Sequence, residues 1–340
     1  MSWKFRHETF NAEDWKILAG FWHPVAYAHE VGDQPVAARL LEQDLVVYRT
    51  KAGVTVARDI CLHRGVRLSR GRMDAGEIVC PYHGLRYDGT GRCTLIPAQD
   101  PEVVITQKLN LQVFPAVERH GLVWACLEPA AELPPLPDWP QFTDPAWQVV
   151  PIPAAVWAAA ATRQTENFND VAHLSHVHVG TFGVGSSPRV PGYTVERGRG
   201  TLRFEIPYTQ VDRTTFEVAD TVTITKRYRY ECTLPFSSRL WIQSPDGKDQ
   251  VLVNIAVPIT AKTCRVYVTM LRNFDRDQPV AAAVTFEQAV AAEDRPMVED
   301  QRPEELPLHL TDEIHILADR FSVEYRKALA ELGLGRDWSG

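Results

Sequence analysis

The sequence lacks any long apolar segment. No run approaches the roughly 20 residues needed to span a bilayer, and the opening MSWKFRHETF has no apolar core of a secretion signal. We therefore expect no membrane association and a cytoplasmic location. Cysteine is also scarce, with six residues among 340. In a reducing compartment these cysteines are expected to be thiols or metal ligands rather than disulfides.

An excess of positive charge is also missing. Lysine and arginine number 36 against 43 acidic residues, a formal net charge of −7, which argues against nucleic acid as a partner. No Gly-x-Gly-x-x-Gly follows an expected strand, so no nicotinamide or flavin fingerprint is present. The apolar fraction of 45% and the charged fraction of 23% are ordinary for a globular protein, and the length suggests two domains.

The most informative stretch contains two Cys-His pairs. Cys61 and His63 form a Cys-x-His pair, and after sixteen residues Cys80 and His83 form a Cys-x-x-His pair. Two thiolates and two imidazoles can hold a tetrahedral zinc ion or a [2Fe-2S] cluster. Zinc sites usually draw both cysteines from one knuckle, whereas here each loop supplies one residue of each type. The mixed spacing favours the cluster, because each loop must then reach both irons.

The pattern along the rest of the chain predicts two domains. Short β-rich runs dominate the first part, and the proline-rich segment 128–140 excludes both helix and interior strand. We place the boundary there, with domains at 1–130 and 131–340. The second domain has further strands, including one expected over 216–231, and then two helices, expected over 279–300 and 314–332 with Thr311 or Asp312 as N-cap of the latter. Strands followed by helices indicate an α+β domain.

A second candidate metal site lies between residues 166 and 178. It contains His173, His176 and His178, and non-haem iron oxygenases use two histidines and one carboxylate on one face of the metal. His173 and His176 share a face of a regular helix, so local geometry mildly favours that pair. His173 and His178 would instead need a helix irregularity or a helix end. The carboxylate is expected from the acidic segment 291–301.

The paired Cys-His motif resembles the Rieske motif. The resemblance implies that Cys61 and Cys80 bind one iron of a [2Fe-2S] cluster and that His63 and His83 bind the other. Rieske proteins of respiratory complexes carry an extra cysteine in each loop, and neither loop has one here. The absence of these cysteines points to the oxygenase branch of the family. The resemblance then implies an N-terminal all-β Rieske domain and a C-terminal helix-grip catalytic domain, in which helices cover an antiparallel sheet.

The histidine stretch resembles the Rieske oxygenase signature at Glu166, Asp170, His173 and His178. The resemblance implies that His173 and His178 bind a mononuclear non-haem Fe(II), and a similar helix in the family makes Asp294 the third ligand. Glu293 and Asp300 are reserve candidates, and His176 is expected beside the ligands or in the core. The family also implies that Asp170 bridges His173 and His83 across neighbouring subunits, and hence a homotrimer.

The expected function is that of a terminal oxygenase component. It would use O₂ and electrons from NAD(P)H, supplied through a separate reductase with or without a ferredoxin, to hydroxylate a small aromatic or heteroaromatic substrate. The chain looks most similar to vanillate, dicamba and methylxanthine demethylases, so monooxygenation with O- or N-demethylation is expected. The alternatives are aromatic ring dihydroxylation, simple C–H hydroxylation, a Rieske electron carrier, or a zinc-stabilised binding module. Strands with Trp241, Gln243 and Asn254 are candidates for the pocket wall, without an assignment.

Overall fold

The computed structural model of the protein describes residues 8–183, 185–211 and 223–335. The chain forms two compact units, Met1–Leu136 and Pro137–Gly340. Among the helices of the described residues, none is both long enough and apolar enough to cross a membrane. The expected all-β first part and α+β second part are confirmed.

From residue 8 onward, the first unit has one α-helix and three small antiparallel sheets. Its elements are α1 (Ala12–Ala19), β1 (His23–Tyr27), β2 (Val36–Leu40), β3 (Gln43–Thr50), β4 (Gly53–Arg58), β5 (Arg72–Asp74), β6 (Glu77–Val79), β7 (Arg86–Tyr87), β8 (Cys93–Leu95), β9 (Val113–Phe114), β10 (Ala116–Arg119) and β11 (Leu122–Ala125). The strands pair in the orders β1-β11-β10, β2-β3-β4-β9 and β5-β6-β7-β8. Helix α1 begins where the Asn11 side chain accepts a hydrogen bond from the Asp14 amide, as an N-cap does.

A hydrophobic core of the first unit includes both cysteines of the paired motif. Cys61 and Cys80 pack with buried side chains of the β3–β4 and β5–β8 sheets, among them Tyr48, Ile78 and Tyr87. The loop after β4 and the loop after β6 are thereby held on one core.

The described part of the second unit is built on a seven-stranded antiparallel sheet. The elements are β12 (Gln148–Trp157), α2 (Ala161–Asn169), α3 (Leu174–Val177), β13 (Glu196–Gly198), β14 (Thr201–Val211), β15 (Thr223–Thr233), β16 (Ser237–Gln243), β17 (Gln250–Thr260), β18 (Thr263–Arg272), α4 (Ala281–Glu299) and α5 (Arg320–Glu331). The strand order in the sheet is β12-β18-β17-β16-β15-β14-β13. Of the strand expected over 216–231, residues 216–222 lie outside the described part of the chain.

Alternate residues of β17 anchor two helices on one face of this sheet. Asn254 exchanges hydrogen bonds with Gln164 of α2 at 2.9 and 3.0 Å, and Gln250 donates to Glu287 of α4 at 3.1 Å. Side chains two or four positions apart on a strand point to the same face, so α2 and α4 cover the same face of β17. This is the expected helix-covered sheet.

The last helix starts later than its apolar pattern predicts. The expected start near residue 314 is wrong, because α5 begins at Arg320 after Asp319. The Asp319 carboxylate accepts the Ile316 amide at 2.8 Å, so the preceding residues form a turn. Ile314 is 96% exposed and Leu317 is 87% exposed; their helical spacing therefore does not reflect a buried helix face. The other predicted helix, 279–300, is confirmed as α4.

Candidate metal centres

The loops that carry the two Cys-His pairs have the same backbone hydrogen bonds. The Gly65 amide donates to the Cys61 carbonyl at 2.8 Å, and the Gly84 amide donates to the Cys80 carbonyl at 3.1 Å. Across the loops, the Cys61 amide donates to the Val66 carbonyl, and the Cys80 amide donates to the Leu85 carbonyl. Both glycines have positive φ, 75° and 71°, which a residue without Cβ adopts readily. Two matching tight loops therefore present the two pairs.

The thiols and the imidazoles of these loops differ in exposure. Cys61 and Cys80 are 1% and 2% exposed, whereas His63 and His83 are exposed, with ring centroids 4.5 Å apart. The Tyr87 hydroxyl lies 3.2 Å from the Cys61 sulfur. Burial raises the pKa of the Cys61 thiol, and the hydrogen bond from Tyr87 counteracts part of that effect. Sulfurs inside and imidazoles outside fit a cluster with one iron in the core and one near the surface.

A single zinc ion fits these four residues poorly. Around one tetrahedral ion, ligands at about 2.0 to 2.3 Å must all lie within about 4 Å of one another. Among the described residues, the one group of three or more His, Cys, Asp or Glu side chains whose ligand atoms lie within 4.8 Å is a different one. The observation favours a two-iron cluster over a zinc-stabilised module.

That group consists of His173, His178 and Asp294. The Nε2 atoms of both histidines lie 3.3 Å from Asp294 Oδ1, which is buried and has no hydrogen-bond partner. Ligands at about 2.1 Å from a metal and at right angles to each other lie about 3 Å apart. The three residues thus fit a divalent metal with a two-histidine, one-carboxylate ligand set.

The helix irregularity required for a five-residue histidine spacing is present. Asp170 ends α2, and its carboxylate accepts the amides of Ala172 and His173 at 3.0 and 3.1 Å. The short helix α3 then ends at Val177, and a 3₁₀ turn, His178–Gly180, follows. His176 is exposed and lies outside the group, so the expected core position is wrong, and a position beside the ligands stays a prediction.

Each histidine of the group is held from behind by a carboxylate. Asp170 Oδ2 lies 2.9 Å from His173 Nδ1, and Glu293 Oε2 lies 2.9 Å from His178 Nδ1. Glu293 also accepts the Gly180 amide at 2.8 Å and the Thr181 hydroxyl at 2.6 Å. Such contacts orient ligating imidazoles and leave Nε2 for the metal. Glu293, a reserve ligand from the sequence, therefore lies behind His178, and Asp300 is exposed and outside the group.

The carboxylates outnumber the imidazoles at this site. Burial by itself would raise the pKa of Asp294, but the facing imidazoles of His173 and His178 hold that pKa well below its usual range. Burial would likewise lower the pKa of His173, but Asp170 and Asp294 raise it to about 9. Three carboxylates around two imidazoles give an electronegative site, which suits a divalent cation.

Two adjoining cavities of 110 and 250 Å³ reach Asp294. Most of the side chains that line them are apolar, as in small-molecule sites. The smaller cavity also touches both histidines. Asn254 lines the larger one, whereas Trp241 lines a separate cavity of 670 Å³ with several arginines and glutamates.

Sequence reasoning missed the roles of two glutamates on α4. Glu293 directly precedes Asp294, and the neighbouring acids looked like rival ligands. Glu287 lies seven residues before Asp294 and lines both cavities. That spacing is two helical turns and places both residues on the same helix face. The spacing was therefore a signal in the sequence that Glu287 lies on the side of α4 that faces the site.

An all-β unit with paired Cys-His loops and a helix-covered sheet with a His-His-Asp group define the class of the protein as an iron–sulfur oxygenase. Comparison with known families agrees: residues 21–115 match the Rieske [2Fe-2S] domain, and residues 157–334 match the vanillate O-demethylase oxygenase C-terminal domain. The chain belongs to the Rieske oxygenase family. Its cofactors are a Rieske [2Fe-2S] cluster and a mononuclear non-haem iron.

Similarity to individual proteins extends over nearly the whole chain. Methylxanthine N3-demethylase NdmB of Pseudomonas putida is 33% identical, with 95% of this chain and 91% of the relative covered. Methylxanthine N1-demethylase NdmA of the same organism is 30% identical, with 93% of this chain and 90% of the relative covered. The structure of NdmA with caffeine superposes with a TM-score of 0.81 over 94% of this chain and 92% of that one, at 29% identity. The structure of dicamba monooxygenase bound to dicamba shares the fold, with a TM-score of 0.79 over 96% of this chain and 98% of that one, at 23% identity.

Proposed function

We propose that this oxygenase removes a methyl group from nitrogen or oxygen of a small aromatic or heteroaromatic substrate. The methyl carbon would be hydroxylated by one atom of O₂, while two electrons and two protons reduce the other atom to water. The resulting hemiaminal or hemiacetal then breaks its C–N or C–O bond and releases formaldehyde. The carrying observation is the convergence of His173, His178 and Asp294 at the wall of a mostly apolar cavity.

We assign the metal ligands as the sequence indicates. Cys61 and Cys80 would bind one iron of the cluster and His63 and His83 the other, with His173, His178 and Asp294 on the mononuclear iron. When bound, this iron supplies O₂ activation at open coordination positions. The chain's own part is to hold Nε2 of both imidazoles toward the metal through Asp170 and Glu293, and to line the cavity with apolar side chains that exclude water.

The electrons must enter from outside the chain. Rieske oxygenase components work with a separate reductase or ferredoxin, and we propose NAD(P)H as the ultimate donor. We also propose a cytoplasmic homotrimer in which Asp170 bridges His173 and the His83 of a neighbouring subunit, with no nucleic-acid or membrane partner. The exposed imidazoles of His63 and His83 support transfer between subunits.

The proposed domains are a Rieske domain over 1–130 and a catalytic domain over 131–340. Support comes from the proline-rich segment 128–140, within which the two compact units also divide.

A single-turnover assay tests the reaction without the natural reductase. The protein is reduced chemically, freed of reductant, and mixed with ¹⁸O₂ and a panel of N-methyl and O-methyl aromatics. We expect formaldehyde and a demethylated product from at least one compound. Labelled hydroxyl groups on a ring or carbon that keeps its methyl group would instead favour ring dihydroxylation or simple hydroxylation.

A further inference from the structure

The cavities at the mononuclear site contain a buried carboxyl group that does not hold the metal or its ligands. Glu287 lies on α4 and is 6% exposed. It lines both cavities, together with Phe168, Leu252, Val290 and Asp294, which are also common to the two. Seven residues of helix separate it from Asp294, about 10.5 Å along the axis. A molecule of one or two rings can bridge such a distance.

The floor of the smaller cavity is one face of the sheet. Paired rows of β15, β16 and β17 put Tyr228, Ile242 and Gln250 side by side, and the next row on that face holds Tyr230, Leu240 and Leu252. All six line the cavity. This floor is half aliphatic, and its polar groups are the hydroxyls of Tyr228 and Tyr230 and the amide of Gln250.

The polar groups near Glu287 satisfy only part of its carboxyl group. Gln250 Nε2 donates to Glu287 Oε1 at 3.1 Å. Tyr228 donates its hydroxyl to Gln210 instead. Within the described part of the chain, Glu287 Oε2 forms no hydrogen bond or ion pair.

A half-satisfied carboxyl group in an apolar cavity is costly for the fold. Burial raises the pKa of Glu287 to about 7, although the hydrogen bond from Gln250 opposes the shift. Buried polar groups normally have partners, and a few well-placed polar groups in an apolar pocket usually fix the orientation of a ligand. A ligand with a hydrogen-bond donor would supply the missing partner.

We propose that Glu287 is a specificity-determining residue that accepts a hydrogen bond from a ring N–H of the substrate. The substrate class is then a small, uncharged N-methyl or O-methyl heteroaromatic with at least one free N–H. This inference rests on the proposed demethylation and adds the identity of the recognised group. The methyl group would lie at His173, His178 and Asp294, and the N–H would point to Glu287.

A benzoate-type anion is the rival substrate. Ionised Glu287 would repel its carboxylate in a site of low dielectric constant. Lys226 also lines the smaller cavity but is partly exposed, where solvent screens its charge. The surroundings of Glu287 therefore favour the uncharged N–H compound.

The test is calorimetric binding of matched compounds. Three pairs differ only by methylation of N–H: theobromine and caffeine, thymine and 1,3-dimethylthymine, and benzimidazole and 1-methylbenzimidazole. Dicamba serves as the anion. In the wild-type protein we expect at least one N–H compound to bind about tenfold or more tightly than its N-methyl partner, as for a hydrogen bond to a charged group. Glu287→Gln should remove most of that preference, whereas Glu13→Gln, which removes the same charge from an exposed position of α1, should keep it.

Tighter binding of dicamba than of every N–H compound by the wild type would overturn the inference. The inference would also fail if the wild type shows no N–H preference, either because both members of every pair bind equally or because none of the compounds binds. An N–H preference that survives in Glu287→Gln would also overturn it. If Glu287→Gln does not fold, the wild-type comparison of the pairs still decides. Formaldehyde release is measured separately on the same compounds, so a failed inference with intact demethylation is distinguishable from failure of the proposed function.

Discussion

At the scale of single residues, the mononuclear site depends on carboxylates behind its ligands. Glu293 and Asp170 each contact an Nδ1 atom at 2.9 Å, so the ring orientation of both imidazoles is set before a metal is bound. The acids next to Asp294 look alike in the sequence. Only the path of α4 separates Asp294, which faces the Nε2 atoms of both histidines, from Glu293 behind His178.

Substitution of Glu293 should weaken the mononuclear site selectively. We expect Glu293→Gln to lower iron affinity at this site about 10- to 100-fold, as outer partners of ligands do, because the Nδ1 contact loses its charge. Iron analysis after dialysis against a chelator, with the reduced Rieske signal as internal reference, measures the effect. Asp300→Asn, which removes an exposed carboxylate just after the same helix, is the control, and equal iron loss in both variants would contradict the prediction.

Glu287 should make stability depend on pH. Below about pH 4.5 the carboxyl group is protonated in both the folded and the unfolded chain. As the pH rises toward the folded-state pKa of about 7, the unfolded chain releases its proton first, so the free energy of unfolding falls. The loss is complete above that pKa and amounts to roughly 3 kcal/mol. Other titratable or charged side chains that line the same two cavities are His173, His178, Lys226, Tyr228, Tyr230, Asp294 and Arg295.

Thermal unfolding at two pH values measures this contribution. We expect Glu287→Gln to melt at a higher temperature than the wild type at pH 8 and at nearly the same temperature at pH 5. Glu13→Gln should track the wild type at both values. A Glu287→Gln difference that does not change with pH would refute the assignment.

At the scale of elements, the break between α3 and the following 3₁₀ turn makes the site possible. A continuous helix would place His173 and His176 on one face, and local periodicity favoured that pair for this reason. The choice of His173 and His178 came from family resemblance. Helix periodicity could not supply it, because the break depends on contacts with Glu293 on α4, more than a hundred residues away.

Gly183 should be essential to this break. Its amide donates to the His178 carbonyl at 2.8 Å, and an added Cβ would lie against the Leu174 carbonyl oxygen and 2.8 Å from the His178 carbonyl oxygen. We expect Gly183→Ala to displace His178 and to lower mononuclear iron content severalfold while the Rieske signal stays. Gly192→Ala meets no atom within 4 Å and should bind iron normally. Full iron content in Gly183→Ala would disprove the constraint.

At the scale of the whole molecule, the sequence predicted the all-β and α+β parts and the sheet-covering helix α4 well. Strand and helix periods, turn residues and the proline-rich segment are local signals, and they were sufficient there. The partner of His178 depends on a tertiary contact, which short windows do not contain. The late start of α5 reflects the local turn closed by Asp319 and the Ile316 amide, which the spacing of apolar residues does not report. The substrate cavity is assembled from β15, β16, β17 and α4, so no contiguous stretch specifies it.

The proposed ring of subunits predicts complementation between two inactive variants. His83→Ala should lack a working cluster and keep the mononuclear site, and His173→Ala should do the reverse. Each variant alone is expected to be inactive. Coexpressed with different tags and purified through both, they should form mixed trimers with about a third of wild-type activity, because one of the three ordered neighbour pairs in every mixed ring combines a working cluster with a working iron site. Purified mixed trimers without activity would place electron transfer within one subunit.

The row structure of the sheet has a consequence for evolution. Cavity residues occur at every second position of β15, β16 and β17, whereas the histidines and Asp294 lie outside these strands, on or beside the helices. A single substitution at Leu240, Ile242 or Leu252 can therefore reshape the space offered to a molecule without moving a proposed metal ligand. New substrates become accessible through small, independent steps, with the oxidative chemistry inherited intact.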